Sequence, residues 1–506
     1  MSELAVRLLQ TARRRPSAPA IADGGCRADY ATLASAAQRF AALLRARGLR
    51  SGDRVAVVLP NRYEAVVACY GCWLAGIVLV PLNAQASRRE LASWLAHCEP
   101  SLVLVEEGDA EAAAAVAQAG LEHGRLALGA SRDPAWPPGP AGQAAATCGE
   151  AGAGDGLAMI LYTSGTTGAP KGVALGHDNL HANVQAVVED LGLGEDDCTV
   201  SVLAFCYAYG VSVLHTHLFA GGCVVLEPNM VFPHLVVDAL EREGATGFSG
   251  VPSTFALFLE RGVFEGRLLP RLRYLTQAGG AMTVALARRL RAQLPGVRLH
   301  IMYGQTEASA RLASVPPARL DDKPGSAGRP LSGVRLEIRD EAGRALAPGV
   351  EGEVWARSPG VMRGYWRDPA ATALVLRDGW LRTGDLGRLD DEGYLFLAGR
   401  RNDMIKTGAH RVHPLDVEEA LLEHPAIAEA AVAGIDDATL GQVVKAWVVA
   451  RDPGLDARAV RAHCRGRLAA WKIPRDIEFL PALPRTTSGK VRRAALAGTT
   501  SLETTP

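Results

Sequence analysis

The stretch Leu157-Ala158-Met159-Ile160-Leu161-Tyr162-Thr163-Ser164-Gly165-Thr166-Thr167-Gly168-Ala169-Pro170-Lys171-Gly172 runs from an apolar strand into a loop. From Tyr162 onward it holds three glycines, four aliphatic hydroxyl side chains and one lysine. Glycines let backbone N–H groups approach an anion, hydroxyls donate further hydrogen bonds, and lysine supplies a mobile point charge. That is a loop for a polyphosphate. It is not the common P-loop, which needs Gly directly before the lysine and Ser or Thr directly after it; Pro170 and Gly172 stand there instead.

Outward from this loop, β-rich runs alternate with helical periodicity. Residues 30–49 repeat apolar positions at helical spacing and end near Gly48, a C-cap. A short strand at 53–61 follows, then a helix over 63–74, a strand over 77–80 that breaks at Pro81, a helix over 91–97 and an apolar run at 101–106. Downstream the alternation continues through residues 274–280 and 297–304. This order predicts an α/β fold of packed βα sheets, largely parallel. Residues from about Gly129 to Gly156 have no periodicity and read as a surface connection. After about Pro324 short strands with Gly-rich turns take over, and the residues from about Arg401 to Leu496 form a final α+β stretch. The expected division is a multi-subdomain core over 1–400 and a small mobile C-terminal lid over 401–506.

At 506 residues the chain needs two or more cores. Lys+Arg and Asp+Glu both count 54, a balance that argues against nucleic acid or an anionic membrane as partner. Nine scattered cysteines suit a reducing cytoplasm. The first residues show no apolar core of signal-peptide length, and the longest apolar run breaks at Pro81, too soon to span a membrane. Cys69 and Cys72 form a CxxC inside an apolar helical run with no second pair, so they read as buried small residues. His215 and His217 have no carboxylate cluster beside them and are not read as metal ligands.

Four more blocks follow the loop in order: Tyr303-Gly304-Gln305-Thr306-Glu307; Thr383-Gly384-Asp385 with Arg400; Gly399 through Gly408, containing Asn402 and Lys406; and Pro484 through Arg493, containing Lys490. Together they resemble the adenylate-forming superfamily of acyl-CoA synthetases, luciferases and peptide-synthetase adenylation domains, over nearly the whole chain. The resemblance implies ATP, Mg²⁺ and a thiol, from coenzyme A or carrier-protein phosphopantetheine. It assigns Thr163, Ser164, Gly165, Thr166, Thr167, Gly168 and Lys171 to the ATP phosphates, with Gly279 and Gly280 also at the nucleotide. Tyr303 would stack on adenine, Thr306 contact the α-phosphate, and Glu307 help hold Mg²⁺. Asp385 would accept the ribose hydroxyls and Arg400 donate to ribose or phosphate. Asn402 matches the hinge, Lys490 the lysine that reaches the site during adenylation, Lys406 a residue facing the site in the second state, and Gly408 the thiol channel.

The implied reaction joins a small carboxylic acid to a thiol through an acyl-adenylate. The acyl pocket is expected from Tyr207, Tyr209 and Gly210, from Ser249 and Gly250, from Gln277 and Ala278, and from Gly304. Many members carry His in the aromatic block where this chain has Cys206 and Tyr207. No acidic residue lies in these segments, which disfavours an amino-acid substrate, whose ammonium would need a buried counter-charge. The tyrosines either bond a hydroxylated or aryl acid, pack on an aliphatic one, or are ordinary core. His410 and His413 flank Arg411 near the hinge, within reach of a thiol donor's phosphates. Other readings are an adenylation enzyme loading an acyl carrier protein in trans, a non-catalytic nucleotide sensor on the same scaffold, and an unrelated NTPase.

Overall fold

A computed structural model describes residues 2–129, 132–138, 156–163, 170–227, 230–408, 410–437, 440–486 and 490–498. Residues 164–169 of the phosphate loop, namely Ser164 to Ala169, lie outside the described residues, as does most of the 129–156 connection.

Among the described residues four sheets carry the fold, of nine, seven, five and five strands. The centre of the nine-stranded sheet is parallel. Strands Arg298–Tyr303, Tyr274–Gln277, Gly247–Gly250, Cys198–Ser201 and Cys223–Leu226 lie side by side in that order. From Cys198–Ser201 the chain steps one way to Cys223–Leu226; from Gly247–Gly250 it steps the other way. A reversal of strand order opens a crevice at the carboxyl ends of a parallel sheet. Here those ends are Gly250, Gln277 and Tyr303, each within or next to a candidate pocket segment.

The seven-stranded sheet sets Leu102–Glu106, Arg54–Val58, Val78–Leu82 and Leu157–Thr163 parallel. The last of these then doubles back antiparallel onto Lys171–Gly176, so Thr163 faces Lys171 across the phosphate loop. The sheets are therefore mixed: parallel at the centre, antiparallel at this hairpin and at the edges. The strand expected to break at Pro81 runs through it to Leu82, Pro81 pairing with Val57 in register. A proline lacks only a donor, and the Leu79↔Met159 pairing to the neighbouring strand has already ended before it.

Helices fill the space between the two large sheets. Helix Tyr63–Ala75 buries Val66 to Trp73 without a break, the mark of a core helix and not a surface one. Its Trp73 Nε1 donates to the Ala158 carbonyl at 2.9 Å, tying it to the strand that feeds the phosphate loop. Helix Tyr30–Ala46 is capped by Asp29, and helix Arg88–Cys98 starts on a Ser87/Glu90 capping box. Cys69 and Cys72 are buried free thiols in the core helix. His215 bonds Tyr70 and His217 bonds Tyr274, so both are core histidines with partners.

The last sheet is built on the hairpin of Ile427–Asp437 and Gly441–Ala450. Helices Pro414–Leu422 and Ala457–Arg465 cover it, and Ile405, Val417, Leu421, Val444, Val448 and Val460 form a core separate from those of the large sheets. Among the described residues no helix is long and apolar enough to cross a membrane.

Candidate functional site

A cleft of about 1700 Å³ lies at the carboxyl ends of both large sheets and is lined on its far side by the C-terminal region. Thr163, Lys171, Thr306, Glu307, Thr383, Gly384, Arg400 and Lys490 all line it, although they come from five separate sequence blocks.

Each polar group is fixed by a local structural reason. Strand Gly364–Tyr365 pairs antiparallel with Lys171–Gly176, matching Tyr365 to Val173. This puts the Tyr365 ring 5.6 Å from Lys171 Nζ and lets the Tyr365 hydroxyl donate to Glu307 Oε1 at 2.9 Å. Burial is the main force pushing that phenol pKa upward, with the Glu307 charge adding to it, so it stays a donor. Asp385 and Arg400 are register partners on antiparallel strands Trp380–Leu389 and Leu395–Arg400, and Arg400 Nε lies 3.1 Å from Asp385 Oδ1. Asp385 is only 7% exposed, so this is not a surface pair. Burial raises its carboxyl above the usual range, while Arg400, the Tyr303 hydroxyl and Lys490 pull it back.

The Lys490 N–H donates to Thr486 Oγ1 at 3.1 Å, and its carbonyl accepts from the Thr486 N–H at 2.7 Å. Its side chain keeps solvent-exposed area, yet its ammonium pKa is depressed, first by the desolvation of the cleft and then by Arg400; Asp385 and Glu307 act in the opposite sense. One cation and two carboxylates thus act on the charge of this lysine.

The turn after Tyr303 is strained. Ser309 has φ 56° and Ala310, a cleft-lining residue, has φ 106°. Backbone in this region is costly for non-glycine residues and persists only where its surroundings hold it. Gly304 is part of that hold: a Cβ there would stand 1.9 Å from the Ala310 carbonyl oxygen. Gly210 is under a similar constraint, with the Ala204 carbonyl 2.3 Å from where its Cβ would be.

At the other end of the cleft, Tyr207, Tyr209, Gly210, Ala278, Gly279 and Gly304 line the wall. Tyr207 Oη accepts from Asn83 Nδ2 at 3.4 Å. The Tyr209 hydroxyl donates to the Thr276 carbonyl at 2.9 Å and bonds its Oγ1 at 2.8 Å, and that Oγ1 bonds Ser249 Oγ at 2.8 Å. Cys206 is also at the wall, its thiol pushed up to about 12 by burial and so held neutral.

Several expected positions fall elsewhere. Tyr303 is not in the lining; it lies beneath the cleft, 7% exposed, its hydroxyl donating to Asp385 Oδ2 at 2.6 Å. Its place at the end of a buried strand lets its hydroxyl hold that carboxylate. Ser249, Gly250, Gln277 and Gly280 also stand behind the lining, which is drawn from their neighbours Val251, Ala278 and Gly279. Gln277 is fully buried and donates to the Gly280 carbonyl at 2.8 Å. Lys406 lies on strand Ile405–Thr407 of the small sheet and Gly408 just after it, and neither is in the cleft lining. Asn402 is in the short turn Arg401–Asp403 that joins the two regions. Tyr365 and Arg311 were not legible as site residues: no motif marks Tyr365, and only sheet pairing brings it to Glu307.

The donors fit a magnesium ion bound mainly through nucleotide phosphates. Such an ion takes one or two protein carboxylates and keeps the rest of its sphere for phosphate and water. Glu307 has one oxygen held by Tyr365, leaving Oε2 for the metal. Among the described residues no cluster of three His, Cys, Asp or Glu forms a cage, so a metal site built from protein ligands alone is not offered there.

The family model for the AMP-binding enzyme matches residues 8–366, and that for the AMP-binding enzyme C-terminal domain matches 416–490. The chain is 35% identical over 489 residues to a feruloyl-CoA synthase from Amycolatopsis, covering 96% of each. Among solved structures it resembles ATP-bound MatB from Rhodopseudomonas palustris, with a TM-score of 0.88, 31% identity and 98% of each chain covered. It also resembles O-succinylbenzoate coenzyme A synthetase from Bacillus subtilis in complex with ATP and a magnesium ion, with a TM-score of 0.83, 30% identity, and 97% of this chain and 98% of that one covered.

Proposed function

The chain belongs to the AMP-binding enzyme family, and on that premise we propose how its own residues carry out acid–thiol ligation. The enzyme is an AMP-forming ligase that uses ATP, Mg²⁺ and coenzyme A on a small carboxylic acid. A carboxylate oxygen attacks the α-phosphorus of ATP, the bond to the β-phosphate's bridging oxygen breaks, and pyrophosphate leaves. The thiol sulfur then attacks the acyl carbon, AMP departs, and the thiol proton is released.

No protein nucleophile is required. The work is positioning and charge neutralisation. Lys171 and the phosphate loop hold the leaving phosphates; Thr306 bonds the α-phosphate; Lys490 stands between the attacking carboxylate and that phosphate. Asp385, held by Tyr303 and Arg400, binds the ribose. Mg²⁺ at Glu307 would neutralise phosphate charge. The observation that best supports this reading is Lys490, from the far end of the chain, lining the same cleft as Lys171, Thr306 and Glu307.

The boundary between core and lid falls at residues 400 and 401, and the small domain pivots at Asn402. In the second state Lys490 withdraws and Lys406 and Gly408 face the cleft. Both now lie outside it, which this exchange requires. The described cysteines, all free, support a reducing compartment such as the cytoplasm.

The test is product analysis with aryl, short-chain, medium-chain and amino acids, with and without coenzyme A. The expected result is AMP, pyrophosphate and a coenzyme A thioester in equal amounts for at least one acid. ADP and orthophosphate in place of AMP and pyrophosphate, or a rate that ignores the acid, would contradict it.

A further inference from the structure

We propose that the acyl end of the cleft selects acids carrying a second anionic group, a carboxylate or sulfonate remote from the reacting carboxylate, through the positive charge of Arg311. This rests on the ligase reading, because only there does an acid enter this cleft.

Arg311 follows Ala310, which lines the cleft, and is itself 1% exposed. Its guanidinium lies 4.4 Å from the centroid of the Tyr209 ring, and Tyr209 is in the cleft wall. Its Nη1 donates to Ser212 Oγ, one turn along the helix that carries Tyr209, while its Nε has no hydrogen-bond partner. Among the described residues no carboxylate stands within ion-pair distance. Asp190 is the acid whose charge reaches it, yet the contact of Asp190 is His300, 3.8 Å away.

Arg62 shows what a buried arginine in this fold otherwise has. It is equally buried and meets Glu64 at 2.7 Å and Glu106 at 2.9 Å. A buried charge without a partner is costly and is kept where something compensates it. Arg311 has a ring face and a hydroxyl, but no anion. Beside it the hydroxyls of Tyr209, Thr276 and Ser249 form a bonded row behind the lining, with Thr276 and Ser249 only 0% and 2% exposed, so these groups bond one another and bring no anion to the guanidinium. The charge lies behind Tyr209, which lines the cleft, so Arg311 acts on the ligand across that ring, as a positioning residue. Its depressed pKa, caused mainly by burial, is in keeping with a cation that lacks its counter-charge.

The experiment uses matched acids: benzoate against isophthalate and terephthalate, pentanoate against glutarate, and propionate against 3-sulfopropionate. Affinity is read by calorimetry and turnover by pyrophosphate release, in the parent enzyme and in Arg311→Met, Arg311→Gln and Arg311→Lys. The dianion of at least one pair should bind about tenfold more tightly in the parent, a difference of ~1.4 kcal/mol. Arg311→Met should bring that ratio close to one and Arg311→Lys should restore most of it. A purely structural arginine would lower both members of a pair alike. Should the Met variant fail to fold, Arg311→Gln, which keeps a donor for Ser212, gives the neutral comparison. A monoanion preferred in every pair, or a preference that survives both neutral variants, overturns the proposal. Charge-selective binding without turnover would keep it and sink the ligation; turnover without charge preference would do the reverse.

Discussion

Replacing Gly304 with alanine adds one carbon at the most crowded point of the site. That Cβ would stand 1.9 Å from the Ala310 carbonyl oxygen and 2.7 Å from Arg311 Cα, both backbone atoms that cannot swing aside. Ordinary contact begins near 3.4 Å, so the 304 and 310 segments must separate by about 1.5 Å. Overpacking of this kind costs ~1–3 kcal/mol of stability. The larger effect is on chemistry, because Thr306, Glu307 and Ala310 ride on the same turn. A misplacement of about 1 Å costs roughly 100-fold in rate, or ~2.7 kcal/mol of barrier. Gly304→Ala should therefore lower kcat/KM by about 100-fold or more while the protein still folds, with an unfolding midpoint only several degrees lower. Acid-dependent pyrophosphate release and thermal unfolding measure the two together. A variant within threefold of the parent would refute the reasoning, since the turn would then tolerate the displacement.

Tyr303→Phe removes the hydroxyl that donates to Asp385. A hydrogen bond to a charged group contributes about 1.5–3 kcal/mol, and Arg400 remains, so KM for ATP should rise about tenfold with kcat little changed. An unchanged KM would mean that Asp385 does not need Tyr303. The Lys490 ammonium is held below its ordinary pKa of 10.5, so its protonated fraction, the form the reaction needs, falls as pH rises through that lowered value. The kcat/KM of adenylation should show this loss on a limb below pH 10.5, and Lys490→Arg should move the limb to higher pH; a limb that stays put assigns it to another group. Proteolysis between residues 400 and 406 should change when ATP and acid, or coenzyme A, are added; identical cleavage in all states counts against a pivot at Asn402.

Much of this fold was legible because its signals are local. Helical repeats, and the positive-φ Gly48 that follows helix Tyr30–Ala46, announce themselves within a few residues. The blocks around Lys171, Glu307, Asp385 and Lys490 could be found singly, and the cleft brings them together. What escaped depends on pairing between distant segments. Pro81 looked like a strand breaker because the sequence does not show which neighbour needs its missing N–H. Tyr303 was marked by its block, but its bond to Asp385 joins residues 82 positions apart and shows only in the fold. Tyr365 lies in an unremarkable stretch and reaches Glu307 only through its register with Val173. Nothing local marks Arg311 as buried, since charge and burial are decided by different parts of the chain.

The central claim is that one cleft activates a carboxylic acid with ATP, using a lysine delivered by the C-terminal region. Its most direct test is pyrophosphate release from MgATP, with and without acid, in the parent enzyme and in Lys490→Ala. The account predicts release that depends on the acid and falls by about 100-fold or more in the variant, the scale for removing one preorganised charge donor. Release that continues without acid, or that is unaffected by the loss of Lys490, would contradict it.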